Sequence, residues 1–224
     1  MARESKAARK ERAAEICARL AKAHPDATIA LKFGNNWELL VATILSAQAT
    51  DVKVNEVTAD LFKKYRTVED YASADLAEFE QDIHALGFFR NKAKSITGAA
   101  RELLDRFGGE VPRTMEELLT LPGVARKTAN VVLGNGFGIA EGFVVDTHVA
   151  RLSVRMGLTP VQKTKTINTD QIERDLMELI PREKWIDCGH ALIFHGRRIC
   201  DAKKPLCGEC PIADICPKVG VKSK

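Results

Sequence analysis

The stretch LPGVARKTANVV, residues 121–132, contains a turn followed at once by the start of a helical pattern. Pro122 and Gly123 interrupt the chain, and Lys127 then falls in the first turn of the predicted helix. Lysines are favoured near helix C-termini, because the helix dipole places partial positive charge at the N-terminus. Lys127 therefore lies at the helix end that disfavours its charge, and a chemical role would explain its position.

Helical spacing on both sides of the turn makes a hairpin of two helices. Thr114 and Glu117 fit a capping box, so residues 114–134 predict a short helix, a tight turn and a second helix. Backbone N–H groups in a glycine-containing hairpin beside a helix N-terminus form a site for a phosphate group. The hairpin therefore indicates binding to a nucleic acid.

Two interpretations of Lys127 remain open at this point. The helix dipole, together with partial desolvation, favours the neutral amine, which is the nucleophilic form. An exposed lysine that meets DNA phosphate or water is, however, the commoner role for such a residue. The spacing does not choose between them.

Asp146 is the carboxylate that could complement this lysine. It follows an apolar run and directly precedes a helical pattern in VVDTHVARLSVRMG, residues 144–157, which predicts an N-cap. An aspartate held by backbone N–H groups stays ionised and fixed in direction, so capping and catalysis are compatible. The sequence does not establish whether Asp146 faces Lys127.

Helical spacing dominates the rest of the 224 residues, and sustained alternation of apolar and polar residues is absent. We therefore predict an all-α fold of roughly ten helices. Four glycines in GNGFGIAEGF, residues 134–143, predict a boundary where the helical pattern is interrupted. The basic helix predicted over residues 3–24 has no obvious partner in the first half, so we expect it to pack with the C-terminal part.

Composition restricts the partners and the compartment. No apolar run reaches membrane-spanning length and the N-terminus is charged, which predicts neither a membrane partner nor a signal peptide, and indicates a cytoplasmic protein. The net charge of +4 and the pI of about 8.7 suit a polyanionic partner such as DNA or RNA.

Four of the six cysteines form a cluster near the C-terminus with the spacing C-x6-C-x2-C-x5-C. These candidate ligands are Cys200, Cys207, Cys210 and Cys216. In a reducing compartment such a cluster indicates metal binding, and the spacing accepts either zinc or a cubane iron-sulfur cluster. Cys17 and Cys188 stand apart, and we expect them to be small, buried, apolar residues. With four thiolates available, we expect His148, His190 and His195 to hydrogen-bond helix ends rather than bind metal.

Together these motifs resemble the endonuclease III family of DNA glycosylases with abasic-site lyase activity, in the helix-hairpin-helix superfamily. The resemblance covers roughly residues 10–217 and includes the cysteine spacing. Its other motifs, in the family's order, are LSAQATD (45–51), LPGVARKTANVV (121–132), VDTHVARL (145–152) and HGRRIC (195–200).

The resemblance implies a two-lobed helix-hairpin-helix glycosylase fold. A six-helix barrel would span residues 29–140 and contain the hairpin at about residues 114–136. Residues 1–28 and 141–224 would form a discontinuous helical domain whose loop at residues 200–216 holds a [4Fe-4S] cluster through the four clustered cysteines. The choice of iron-sulfur over zinc thus follows from the resemblance and not from the spacing.

The same resemblance implies a bifunctional base excision repair enzyme. It would act as a monomer, near the nucleoid, on double-stranded DNA containing damaged pyrimidines or abasic sites. Lys127 would be the nucleophile and Asp146 its assisting carboxylate, with cleavage by β-elimination through a Schiff base. Gln48 would fill the gap left by the flipped nucleotide, Phe88 would act as a wedge, and Gly123 and Ala125 would contact DNA.

Three departures from the family's pattern bear on these expectations. Ala125 replaces a glycine of the hairpin, and its methyl group would weaken DNA binding if the position needs a positive φ or a close phosphate. The wedge segment reads GFFRNKA, residues 87–93, and the segment between Lys127 and Asp146 is one residue longer than usual. Two alternative functions stay open: a monofunctional mismatch-type glycosylase, and a non-catalytic iron-sulfur module that binds DNA.

Overall fold

In the computed structural model, which describes residues 4–160 and 168–221, all regular secondary structure is helical. The predicted all-α class is therefore confirmed. The helices are α1 (Lys6–Ala23), α2 (Asn36–Leu45), α3 (Asp51–Lys64), α4 (Val68–Ser73), α5 (Leu76–Asp82), α6 (Phe89–Phe107), α7 (Met115–Leu118), α8 (Arg126–Phe137), α9 (Thr147–Arg155), α10 (Thr169–Leu179) and α11 (Trp185–Arg198), with a 3-10 turn at Arg182–Lys184. None of the described helices is long and apolar enough to cross a lipid bilayer.

The chain divides into two compact units. We name Ile29–Glu141 the central unit, and Met1–Thr28 together with Gly142–Lys224 the terminal unit. Helices α2 to α8 belong to the central unit, and α1 and α9 to α11 belong to the terminal unit. The terminal unit is thus built from both ends of the chain, and the central unit is inserted between its two parts.

Helix α2 runs through the core of the central unit. All residues from Leu39 to Leu45 are buried, so this stretch has no solvent-facing side, as expected for a helix surrounded by others. It packs against α3, α6 and α8. At its N-terminal end, Trp37 meets Tyr71 edge-on, with ring centroids 5.2 Å apart. This packing anchors the N-terminal end of α2, and the segment that contains Gln48 follows its C-terminal end at Leu45.

The hairpin turn between α7 and α8 packs closely on α6. Gly123 has a φ of +77°, and a Cβ at this position would lie 2.5 Å from the Ser95 Cβ. Next to it, the Pro122 Cγ would lie 3.3 Å from a Cβ added at Gly98 of α6. Glycine is therefore required at position 123 both for its backbone conformation and for the space it leaves.

Helix α8 continues into the glycine-rich stretch and ends at Phe137, so the helical pattern is interrupted at Gly138 and not, as the glycines predict, from residue 134. The reason is packing against α2. A Cβ at Gly136 would lie 2.5 Å from the Asn36 Oδ1, so the missing side chain allows the two helices to approach. A glycine within a helix can thus mark a close contact instead of an end.

Helix α1 packs against α11 and α10 within the terminal unit, with Ala13, Ile16 and Leu20 fully buried. Cys17 on α1 and Cys188 on α11 form a disulfide whose Cα atoms lie 5.3 Å apart. Both residues are buried, as expected, but they are linked to each other and do not act as separate apolar side chains. They are 171 residues apart in sequence, and only the packing of α1 on α11 brings them together.

Candidate functional site

Lys127 is the second residue of α8, and its side chain is exposed. The N-terminus of this helix has no side-chain cap, and its first turn contains no acidic residue. The partial positive charge of the helix end is therefore not offset by a carboxylate of the same turn. The structure thus confirms that Lys127 occupies the first turn that the sequence predicts.

Ala125 is the residue that precedes α8, and it has a φ of −97° and a ψ of 169°. Any L-amino acid adopts this extended conformation without strain. The positive φ of the hairpin falls on Gly123 instead. Of the two ways in which Ala125 was expected to weaken DNA binding, the requirement for a positive φ is therefore removed, and the closeness of a phosphate stays a prediction.

Gln48 and Phe88 are two non-glycine residues with left-handed backbone conformations, at φ values of 54° and 59°. Such conformations cost free energy and are concentrated at functional sites. Phe88 immediately precedes α6, and 62% of its surface is exposed. Together with Gly123, both residues line one pocket of about 210 Å³ in the central unit. The structure thus brings three of the four predicted DNA-contact residues together, and Ala125 lies two residues beyond Gly123.

Asp146 caps α9 in the terminal unit, as its position in the sequence predicts. Its Oδ1 accepts a hydrogen bond from the Val149 N–H at 2.8 Å. This bond fixes one carboxylate oxygen on the helix N-terminus, where the dipole stabilises negative charge. Lys127 and Asp146 lie in different units of the chain.

Cys200, Cys207, Cys210 and Cys216 all carry free thiols and line one cavity. The same cavity is lined by apolar side chains that include Met156, Ile212 and Val221. Burial raises the pKa of the Cys210 and Cys216 thiols, because an apolar environment disfavours the thiolate. A bound cationic centre would reverse this effect by stabilising the thiolates.

The donor set fits an iron-sulfur cluster. Four thiolates around one cavity are the ligands that a cubane cluster takes. Within residues 4–160 and 168–221, no group of three or more His, Cys, Asp or Glu side chains is arranged to hold a single metal ion. The four thiols line one cavity and supply the number of ligands that such a cluster needs.

Arg155, at the end of α9, holds the cysteine loop and was not identified from the sequence. Its guanidinium donates hydrogen bonds to the Cys200 Sγ at 3.4 Å, to the Asp201 carbonyl at 2.6 Å and to the Ala202 carbonyl at 2.7 Å. Its own carbonyl accepts from the Val219 N–H at 2.9 Å, on the other side of the loop. The sequence did not distinguish this residue, because arginines are common in the last turn of a helix.

His195 does not hydrogen-bond a helix end, so this part of the expectation for the three histidines is wrong. The residue is fully buried, and its Nε2 lies 3.4 Å from the Cys210 Sγ, while its Nδ1 lies 3.2 Å from the Nε2 of buried His24. When a metal centre holds Cys210 as a thiolate, which accepts hydrogen bonds, the Nε2 of His195 would carry the proton and its Nδ1 would accept one from His24. The two rings thus form a chain of donors that ends on Cys210.

Most of this chain is similar to known DNA repair proteins. The family described as "HhH-GPD superfamily base excision DNA repair protein" matches residues 41–182, and the "Iron-sulfur binding domain of endonuclease III" matches residues 200–216. The chain is 55% identical to "Endonuclease III" of Synechocystis sp., with 94% of each protein covered. It is 42% identical to "Endonuclease III" of Escherichia coli K12, over 90% of this chain and 93% of that protein.

The similarity to solved structures covers about as much of the chain as the sequence similarity does. A solved structure described as "Structure of a Trapped Endonuclease III-DNA Covalent Intermediate: Estranged-Adenine Complex" matches with a TM-score of 0.86 and 44% identity, covering 93% of this chain and 96% of that one. A second match, at a TM-score of 0.78 and 24% identity, is described as a thermostable thymine-DNA glycosylase. The second match bears on the fold alone.

Proposed function

Because the chain belongs to the endonuclease III family, within the HhH-GPD superfamily of base excision DNA repair proteins, we propose that Lys127 is the nucleophile of its reaction. The protein is a DNA glycosylase and abasic-site lyase with a [4Fe-4S] cluster. The observation that carries the assignment of Lys127 is its exposed position in the first turn of α8, directly after the hairpin.

In this mechanism the Lys127 Nζ attacks C1′ of the damaged nucleotide. The bond between C1′ and the base breaks, and the base leaves with the electron pair and takes up a proton. Opening of the sugar gives an imine between Nζ and C1′, and loss of a proton from C2′ then expels the phosphate on the 3′ side. The related structure of a trapped covalent intermediate with DNA supports a covalent step of this kind.

Asp146 is proposed to accept the proton of the amine and to stabilise positive charge that develops on the sugar. What supports this role is the direction of its carboxylate, which the hydrogen bond from the Val149 N–H fixes. The second carboxylate oxygen is left for the reaction.

The substrate is proposed to be double-stranded DNA with an oxidised pyrimidine or an abasic site, bound by a monomer. Gln48, Phe88, Gly123 and Ala125 would contact this DNA, with Phe88 as the wedge, and the exposed ring of Phe88 supports that role. Phe88 lines the same pocket as Gln48 and Gly123. Because its substrate is chromosomal DNA, we infer that the protein acts in the cytoplasm at the nucleoid.

The cluster would be held by the four clustered cysteines, Cys200, Cys207, Cys210 and Cys216. When bound, it supplies a rigid cationic centre that fixes the loop and a redox-active group. Arg155 and His195 would then donate hydrogen bonds to two of the ligand sulfurs. Acid-labile sulfide and iron in anaerobically purified protein are expected, and zinc in their place would contradict this assignment.

Borohydride trapping tests the nucleophile. The protein is incubated with duplexes that carry thymine glycol or an abasic site, and borohydride reduces any imine to a stable adduct. We expect an adduct with the wild type and none with Lys127→Gln. Arg126→Gln is the matched control, because it removes one positive charge from the same helix start but leaves the amine. An undiminished adduct in Lys127→Gln would refute the assignment.

The products distinguish the monofunctional and non-catalytic alternatives. A bifunctional enzyme cuts the strand without alkali, whereas a monofunctional glycosylase releases the base and needs alkali for scission. Asp146→Asn should retain folding, because asparagine caps a helix as well as aspartate does. Full base release by Asp146→Asn would show that this carboxylate is not part of the chemistry.

A further inference from the structure

Lys92, in the first turn of α6, is a buried lysine without a hydrogen-bond partner. Only 5% of its surface is exposed, and its Nζ has no partner among the described residues. Burial lowers its pKa, because an apolar environment disfavours the ammonium form. Proteins rarely bury a lysine unless it is paired, since an unpaired buried amine destabilises the fold. An acceptor that the described residues do not supply, such as water or a bound ligand, would remove this cost.

Lys92 is one of the residues that line the 210 Å³ pocket of the central unit. The pocket is also lined by an aliphatic residue, an aromatic residue, two amide residues and three small residues, which are Ile44, Phe88, Gln48, Asn91, Ala47, Ser95 and Gly123. Gln48 and Phe88 also have left-handed backbones, so two strained residues and the unpaired amine lie at the same pocket.

These walls fit a flat heterocycle with a hydrogen-bonding edge. Aromatic rings stack on nucleobases, and asparagine and glutamine amides bind base edges. A phosphate group would leave the aromatic ring of Phe88 and the aliphatic side chain of Ile44 without a matching partner. The lining also includes neither Lys127 nor any other residue of α8, so the pocket is separate from the nucleophile. An enzyme that flips a nucleotide out of a duplex leaves unstacked bases, which are the available ligands of this kind.

We propose that this pocket is a subsite for an unstacked nucleobase, in which Lys92 donates a hydrogen bond to a carbonyl oxygen or ring nitrogen of that base. The proposal rests on the proposed function, because only a flipped nucleotide supplies such a base. Lys92 is a specificity-determining residue in this scheme and does not touch the reacting C1′. The base is either the damaged one or the one opposite it. If it is the damaged base, Lys92 affects how the rate depends on the lesion; if it is the opposite base, Lys92 affects how the rate depends on that base.

Lys92→Met gives a two-part expectation that a structural lysine would not produce. Methionine has a similar length without a polar group, so the urea midpoint of unfolding should rise when the unpaired amine is removed. The discrimination between bases should fall at the same time. Lys94→Met is the matched control, since Lys94 is an exposed lysine two residues further along α6.

The experiment uses the full chain with its cluster and two sets of duplexes. One set keeps an abasic site and varies the opposite base, and the other keeps the opposite base and varies the lesion. Within each set, discrimination is the ratio of the highest to the lowest kcat/KM, which we call the range. We expect Lys92→Met to reduce this range in one of the two sets by about tenfold, as the loss of one base contact predicts. A reduced range in the first set identifies the opposite base as the ligand, and a reduced range in the second identifies the lesion.

A binding measurement keeps the proposal testable independently of catalysis. 2-Aminopurine placed opposite the lesion, and in a second duplex at the lesion position, reports by fluorescence whether a base enters the pocket. The measurement uses Lys127→Gln with and without Lys92→Met. Unchanged ranges of kcat/KM together with unchanged fluorescence would overturn the proposal. Absence of trapping with the wild type would instead overturn the proposed nucleophile, which this fluorescence does not require.

Discussion

Substitution of Gly123 by alanine should destabilise the central unit through two separable effects. The φ of +77° is a left-handed conformation, which costs a non-glycine residue about 1–2 kcal/mol. The added Cβ would lie 2.5 Å from the Ser95 Cβ and 2.7 Å from its Oγ, and overpacking of this kind costs about 1–3 kcal/mol. We therefore expect a loss of about 2–5 kcal/mol in the free energy of unfolding.

Gly138 provides the matched control. Its φ is +69°, but a Cβ there would meet no atom within 4 Å. Gly138→Ala should therefore show only the backbone cost of about 1–2 kcal/mol. Ser95→Gly, combined with Gly123→Ala, removes the atoms that collide and should recover the overpacking cost, apart from the roughly 1 kcal/mol or less that glycine costs in a helix.

The assay is urea unfolding followed by the fluorescence of Trp37, with Trp185 replaced by phenylalanine in every variant. The signal then reports the central unit alone, because Trp37 is the tryptophan of that unit. If Gly123→Ala costs no more than Gly138→Ala, the contact between the hairpin and α6 is not as close as described. If Ser95→Gly restores nothing, the clash is not with Ser95.

Four further predictions follow from the other contacts. Asp146→Ala should cost about 0.5–2 kcal/mol in urea unfolding, and Asp146→Asn should cost little, because asparagine still caps α9. Arg155→Gln should lower the iron content of purified protein, since loss of a residue that orients metal ligands weakens metal binding roughly 10-fold or more. His24→Phe removes the donor to His195, so the cluster's reduction potential, measured by voltammetry, should become more negative. The stability gain of Lys92→Met should shrink as pH rises from 7 toward about 10.4, because the folded wild type releases its proton before the unfolded chain does; a gain that stays constant would contradict the lowered pKa.

Local patterns predicted the features that depend on near neighbours in the chain. The first-turn position of Lys127 and the N-cap at Asp146 both follow from residues within one or two helical turns, and the structure has them as predicted. The helical class follows from spacing of the same range. These features need no knowledge of what packs against them.

Features that depend on distant neighbours were missed. The sequence shows a glycine at 136 and two separate cysteines, but not that α2 packs on α8 or that α1 packs on α11. His195 is likewise bonded to a histidine 171 residues away. Lys92 did leave a signal, because it lies on the buried face of α6 four residues before Ile96. A lysine at an apolar position of a helical pattern is therefore worth identifying before a structure is known.

Because the central unit is inserted within the terminal unit, the order of synthesis determines which unit can complete its folding first. The buried core of the central unit lies entirely between Leu31 and Leu133, so this unit is ready to fold once that stretch has left the ribosome. Helix α1 is synthesised before any of it, yet the helix that covers its apolar face, α11, comes last among the helices described. Among the described helices, α1 is thus synthesised first and covered late, and its apolar face stays exposed until α11 has been synthesised.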